Sequence, residues 1–183
     1  MKTILIALSA FTVAAFAQAT PEEAAQTQLE AMRAADWKKF TTTMHPSATA
    51  RFQGLMVQAA EAATASDSPA AKSAMDRVFG GISAAKIKAM KPDEFFEMFM
   101  KNFATGNPGL LEHYRKSEVK FVGHVLSNGS AYVVSTITRA IGENTVKASN
   151  TGAFQKDGEV WKSSLSGELE MLAAGMVVQF SKK

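Results

Sequence analysis

Four side chains in this sequence belong to types that transfer protons in enzymes: Asp36, His45, His124 and Tyr132. A carboxylate can act as a general base, and a histidine changes its charge near neutral pH. His124 and Tyr132 lie on either side of a predicted hairpin turn, so they could approach each other across neighbouring strands. A tyrosine and a histidine that face a dry cavity would form a proton-transfer pair or hold a ligand.

Each of the four residues also has a purely structural interpretation. Asp36 stands where a helix N-cap is expected, and we favour that role because aspartate is among the best capping residues. His45 precedes a proline and marks a helix end, where a histidine also interacts favourably with the helix dipole. His124 and Tyr132 fit an ordinary cross-strand pair, which we favour over a catalytic one. The sequence therefore commits us to no catalytic residue.

The sequence lacks the spacings that bind metals, phosphates or cofactors. Its three histidines are spread along the chain and form no zinc motif. It contains no calcium loop, glycine-rich phosphate loop or nucleophile elbow. Methionines can bind copper(I), but Met98 and Met100 lie about 200° apart on a helix and cannot easily hold one ion. We predict no metal and no cofactor.

The composition excludes several further classes of protein. The 183 residues include 20 Lys and Arg, 17 Asp and Glu, and no cysteine. Without cysteine there are no disulfides, thiolate metal sites, cysteine nucleophiles or lipid-anchored N-terminal cysteine. The formal charge of +3 is mild, and the lysines are scattered among acids, so we expect no nucleic-acid partner.

Residues 1–19 have the pattern of a bacterial secretory signal peptide. Lys2 is followed by an uncharged stretch, and Ala17-Gln18-Ala19 offers the small residues that a signal peptidase accepts. We predict cleavage after Ala19, with a second possible site after Ala17. The remaining chain, 20–183, contains no apolar run long enough to span a membrane. The prediction is a single-domain protein that is periplasmic or secreted.

Helical signals dominate the first two thirds of the chain. Thr20 and Glu23 fit a capping box that opens the first helix. The stretch from Thr105 to Gly109 closes the helical half. A last helix is predicted near the C-terminus. The predicted helices cover residues 21–33, 37–44, 47–66, a segment ending at Phe79, 83–90, 93–104 and 167–180.

From Ser117 onward the pattern changes to the alternation of β-strands. Asn128-Gly129 indicates a tight hairpin. Alternation places His124 on one face of its strand with Lys120, Val122 and Leu126, a mixed set that does not identify the inward face. The predicted strands cover residues 119–126, 131–141, 145–155 and 159–165. Because short turns join these consecutive strands, they should form an antiparallel meander, and the fold class is α+β.

Three segments carry a resemblance to a known superfamily: PEEAAQTQLEAMRAADWKKFTTTMHP (21–46), VKFVGHVLSNGSAYVVSTIT (119–138) and GAFQKDGEVWKSSLSGEL (152–169). In their order and pattern they resemble the proteins that include nuclear transport factor 2, ketosteroid isomerase and the SnoaL-like polyketide cyclases, which share a cystatin-like fold. The resemblance implies a cone, in which N-terminal helices pack in the concave face of a bent antiparallel sheet of about four strands. It also implies an apolar pocket, and dimerisation through the sheet is frequent among such proteins.

The most distinctive segment is 95–103, in which six of nine side chains are large and apolar. A surface helix needs a narrower apolar stripe. The segment is therefore either a buried helix, which we favour, or the wall of a site for an apolar ligand or a partner. If it lines a pocket, the candidate ligand-binding residues are Trp37, Phe40, Phe96, Phe99, Phe103 and Tyr132.

Three hypotheses for function follow, in order of preference. The first is a non-catalytic exported module that holds a small apolar ligand or acts as an accessory protein, because no polar residues visibly converge. The second is a small acid–base enzyme of the isomerase, dehydratase or cyclase type, which requires two of the four candidates in one cavity. The third is an interaction module that forms a homodimer through the open face of the sheet.

Overall fold

A computed structural model describes residues 20–66, 69, 73, 76, 78–141 and 144–181. The helices whose full extent lies in these residues are α1 (Pro21–Ala34), α2 (Trp37–Thr42), α3 (Pro46–Ala65), α4 (Ala84–Ala89), α5 (Pro92–Gly106), α6 (Pro108–Lys116) and α7 (Gly167–Ser181). Four strands are β1 (Glu118–Ser127), β2 (Ser130–Ile141), β3 (Asn144–Asp157) and β4 (Val160–Ser163). They form one antiparallel sheet in the order β1-β2-β3-β4. The predicted α+β class and four-stranded meander are confirmed.

Two predictions lie partly or wholly outside the described residues. These are the signal peptide, 1–19, and most of the helix predicted to end at Phe79. Among the helices that are described, none combines the length and the apolar character that crossing a bilayer requires.

Local capping bonds fix where the first two helices begin. The Thr20 hydroxyl accepts a hydrogen bond from the Glu23 amide, and the Glu23 carboxylate accepts one from the Thr20 amide, both at 3.2 Å. This is the predicted capping box. Asp36 caps α2 by accepting a hydrogen bond from the Lys39 amide at 2.9 Å.

The end of the helical half differs from the prediction. The sequence around Asn107-Pro108 was expected to close it, but Pro108 is the first residue of α6, which continues to Lys116. Proline fits the first position of a helix because its missing N–H would have no partner there. The helical half therefore ends at Ser117, directly before β1.

The main core lies among the helices and is built from phenylalanine rings. Phe52 on α3 is fully buried and lies 4.8 Å from Phe99 and 5.2 Å from Phe96 on α5, measured between ring centroids. Phe40 on α2 stacks on Phe96 at 6.1 Å. The rings thus join α2, α3 and α5 into one packed unit.

A second, smaller core lies between α1 and the sheet. Ala24 and Ala25 on α1 pack against Ala131, Val133 and Phe154, with Phe121 and Trp161 at the margin. The strand face that carries these residues is called the inner face, and the opposite one the outer face. The small side chains on α1 allow its backbone to approach the sheet closely.

β1 contains a bulge at Val122. Phe121 and Gly123 lie opposite consecutive residues of β2, so that Val122 has no partner of its own. One extra residue reverses the alternation of faces along the strand. The predicted placement of His124 on the same face as Lys120 is therefore wrong: the two lie on opposite faces.

Candidate functional site

Two of the four candidate acid–base residues begin helices. Asp36 has the capping role that the sequence favoured. His45 caps the start of α3: its Nδ1 accepts a hydrogen bond from the Ser47 amide at 3.2 Å and lies 2.7 Å from the Ser47 hydroxyl. His45 was expected to close α2, but α2 ends at Thr42 and His45 opens the next helix.

His124 is paired with a carboxylate that the sequence did not single out. Its Nδ1 lies 2.7 Å from Oε1 of Glu22, in the first turn of α1. Partial burial raises the pKa of the Glu22 carboxyl. The hydrogen bond from His124, the backbone amide of Glu22 and the charge on the imidazole together lower that pKa more, so the net shift is downward.

Tyr132 lies on the other side of the sheet from His124. The register places Tyr132 opposite Val125 and His124 opposite Val133, whose side chain is buried on the inner face. Adjacent positions of a strand point to opposite faces. The structure therefore does not bring His124 and Tyr132 together, and Asp36 and His45 stand at two separate helix starts.

Most of the candidate ligand-binding residues belong to the helical core. Phe40, Phe96 and Phe99 are at most 4% exposed and contact other aromatic rings. Trp37 and Phe103 are partly buried against the same cluster. Tyr132 is not part of it, since it is 40% exposed on the outer face of the sheet. The six residues do not line one site.

An exposed apolar cluster covers the β1–β2 hairpin. Seven large apolar side chains in the described part of the chain are clearly exposed, and four of them belong to this hairpin. These four, called the hairpin patch below, are Val122 (64% exposed), Val125 (62%), Leu126 (64%) and Tyr132 (40%). Val125 and Tyr132 are directly opposite each other on the outer face. Apolar residues on both faces of β1 were the only signal for this patch in the sequence.

A polar pocket of about 210 Å³ lies where the start of α3 meets β3 and α7. Arg51 on α3 forms an ion pair across it with Glu170 on α7, with Nε 2.5 Å from Oε1. The Ser164 hydroxyl is buried and has no hydrogen-bond partner among the described residues. The residues of this α3–α7 pocket are Ser47, Ala48, Arg51, Gln155, Ser164, Leu165 and Glu170.

Sequence reasoning missed this pocket because its members come from distant parts of the chain. No periodicity or motif links residue 47 with residue 155 or 170. Within the described ranges, no group of three or more His, Asp or Glu side chains is arranged to hold a metal ion. The convergent polar set in this region is therefore an arginine, a carboxylate, an amide and two hydroxyls.

Comparison with known proteins identifies no relative. No protein-family model, no curated protein and no solved structure matches this chain.

Proposed function

We propose that this protein is a non-catalytic interaction module that forms a homodimer through the hairpin patch. The observation that carries the proposal is the concentration of exposed apolar side chains on one hairpin. Single exposed apolar residues are ordinary, but several on neighbouring strands are typical of an interaction surface. Val125 and Tyr132 lie on the outer face, and Leu126, opposite the buried Ala131, lies on the inner face near the hairpin turn. The absence of charge from the four side chains allows them to be desolvated at low cost.

A second copy of the chain is the partner that fits this surface best. In a twofold dimer the same patch is buried on both subunits, so an apolar patch is complementary to itself. β1 is also an edge strand of the four-stranded sheet. An edge strand offers unpaired backbone groups that a second strand can bind. The patch lies on and beside that edge, which supports self-association through the hairpin.

A non-catalytic role is supported by the separate positions of the four proton-transfer candidates. Asp36 and His45 are occupied as caps, His124 is bound to Glu22, and Tyr132 is on the outer face. An acid–base enzyme of this type requires at least two such groups within reach of one substrate. The packed phenylalanine rings likewise favour a core over an apolar ligand site.

The proposal includes export and the resemblance to the superfamily of nuclear transport factor 2. Export rests on the leader pattern of residues 1–19. The resemblance is supported by the order of helices followed by a four-stranded meander.

The denatured mass of the protein produced from its full sequence in a bacterial host tests export. We expect the mass of residues 20–183, and the mass of the full chain would contradict cleavage.

Native mass spectrometry of the same sample tests the dimer. We expect a dimer for the natural chain and a monomer for Val125→Lys, because a buried lysine in the interface would lose its hydration without a partner. Val178→Lys is the matched control: Val178 is 58% exposed but lies on α7, outside the patch, so this variant should remain a dimer. A monomeric natural protein at micromolar concentration, or a dimer lost only in the control, would refute the proposal.

A further inference from the structure

We propose that the α3–α7 pocket binds a small zwitterion of the α-amino acid type. The ligand carboxylate contacts Arg51 and the ligand ammonium contacts Glu170. This site is independent of the hairpin patch, because it lies between α3, β3 and α7. It adds a small-molecule function to the proposed interaction module.

The charges in the pocket select a ligand that carries both signs. Arg51 and Glu170 form an ion pair, so the pair as a whole is neutral. A simple anion that approaches Arg51 meets repulsion from the Glu170 carboxylate, and a simple cation meets repulsion from the guanidinium. A zwitterion that aligns its two charges with the pair interacts favourably with both.

Both charged side chains keep free hydrogen-bonding capacity for such a ligand. The Nε of Arg51 is the atom within contact of Glu170 Oε1. Its two Nη groups carry four further N–H bonds. A carboxylate accepts two of these in parallel. Side-chain exposures of 67% for Arg51 and 36% for Glu170 leave room for a ligand to reach them.

Polar side chains beside the ion pair also line the pocket. Gln155 and Ser47 both donate and accept hydrogen bonds, and both lie in the pocket wall. They can therefore hydrogen-bond the polar groups of a small ligand.

The size of the pocket agrees with a small ligand. Its 210 Å³ corresponds to the liquid volume of roughly seven water molecules. A small amino acid fits this space. Leu165 provides one apolar contact for a short side chain.

Titration of the isotope-labelled protein with glycine, acetate and methylammonium, followed by NMR, tests the proposal. Glycine should give saturable shifts at the backbone amides of Ser47, Gln155 and Ser164. Acetate and methylammonium each engage one charge and are repelled by the other, so they should bind about tenfold more weakly or worse. If glycine shifts none of these amides in a saturable way, the proposal is wrong.

Two charge-neutralising variants distinguish recognition from a structural effect. Glu170→Gln should weaken glycine binding and strengthen acetate binding, because it removes the repulsion while it keeps Arg51. Arg51→Gln should weaken glycine binding and strengthen methylammonium binding. Lys116→Gln breaks an exposed ion pair of 2.7 Å with Glu112 on α6 and should change no ligand affinity. Equal losses for all three probes in both pocket variants would overturn the proposal.

Discussion

His124 and Glu22 are titratable side chains whose contact links two elements of the fold. It joins β1 to the first turn of α1 across 102 positions of sequence. The two side chains are 30% and 28% exposed, so water screens their interaction only in part. A carboxylate in the first turn of a helix also interacts favourably with the helix dipole. We expect the pair to stabilise the contact between α1 and the sheet.

Replacing Glu22 with glutamine should destabilise the protein at neutral pH by about 0.5–1 kcal/mol. The pKa of Glu22 in the folded protein lies below its ordinary value of 4.5. A lowered carboxyl pKa contributes stability above pH 4.5 that is lost as the pH falls through the folded-state pKa. Urea unfolding at about pH 7 and about pH 3 should therefore show the difference between the two proteins shrinking in acid.

Glu112→Gln provides the comparison for this measurement. The hydrogen bond from Lys116 and its charge lower the pKa of Glu112, but this pair is exposed on a single helix. Its effect on stability should have the same direction and be smaller. A Glu22→Gln difference that stays constant between the two pH values would contradict the linkage argument.

The role of a residue could be predicted from the sequence where its hydrogen bond joins residues that are close along the chain. The caps at Thr20 and Asp36 join residues three positions apart, so residue type and spacing were sufficient to predict them. The partner of His124 was not predictable, because it depends on how α1 lies on the sheet. The same holds for Ser47, which binds His45 locally but meets Gln155 and Glu170 only in the folded pocket.

At the scale of elements, the bulge in β1 decides which side chains share a face. Asn128 and Gly129 form the predicted hairpin turn, with φ values of 50° and 75°. The identity of these two residues was sufficient to predict the turn. The bulge was not, because it is defined by pairing with β2. A glycine inside the strand, Gly123, was the available signal, since glycine in a strand often marks a bulge.

Deleting Val122 should be tolerated, with a loss of about 1–2 kcal/mol. The deletion removes the unpaired residue and leaves both flanking stretches of β1 in register with β2. Deleting Val134 instead shifts the centre of β2 against both its neighbours, which sends every following side chain to the wrong face. Urea unfolding should show a cooperative transition for the first variant and none for the second. Two equally unfolded variants would contradict the assignment of the bulge.

The extent of α6 shows why the end of the helical half was predicted wrongly although Asn107-Pro108 was correctly recognised as a helix end. Asn107-Pro108 does end α5, but it also starts α6. Proline interrupts a helix in its interior and is favoured at its first position. Only the packing of the next turns distinguishes the two outcomes, and that packing is not visible in the local sequence.

On the scale of the whole molecule, stability is divided among three apolar clusters of the described residues. The phenylalanine cluster joins helices α2, α3 and α5, whereas five buried residues, of which only Phe154 is large, join α1 to the sheet. Ala59, Ala63 and Phe180 form the smallest cluster, where α7 packs on α3. The segment 144–151 of β3 is exposed throughout except for its main-chain pairing with β2. We therefore expect the helical core to dominate the free energy of unfolding.

Phe52→Ala should reduce the free energy of unfolding by about 3–5 kcal/mol, because it removes a fully buried ring and leaves a cavity. Phe52 contacts Phe95, Phe96 and Phe99, so the loss affects both α3 and α5. Val178→Ala, at a position 58% exposed, should change stability by less than about 0.5 kcal/mol. Urea denaturation measures both. A small loss for Phe52→Ala would mean that the ring does not hold the core together.

The apolar composition of segment 95–103 was sufficient to predict a buried helix, because six large side chains in nine residues exceed what one surface stripe needs. It was not sufficient to predict the neighbours of that helix. The α3–α7 pocket and the hairpin patch depend on tertiary contacts and strand register, which no local pattern encodes.

The separation of the two larger cores has a spectroscopic consequence. The chain contains two tryptophans, and each lies at the margin of a different core. Trp37 packs beside the phenylalanine rings, and Trp161 packs beside the α1–sheet contact with Lys156 5.6 Å above its ring. Replacing either one with phenylalanine leaves a single tryptophan beside the two tyrosines. Tryptophan emission from the two variants therefore reports on the surroundings of each core separately, without any added label.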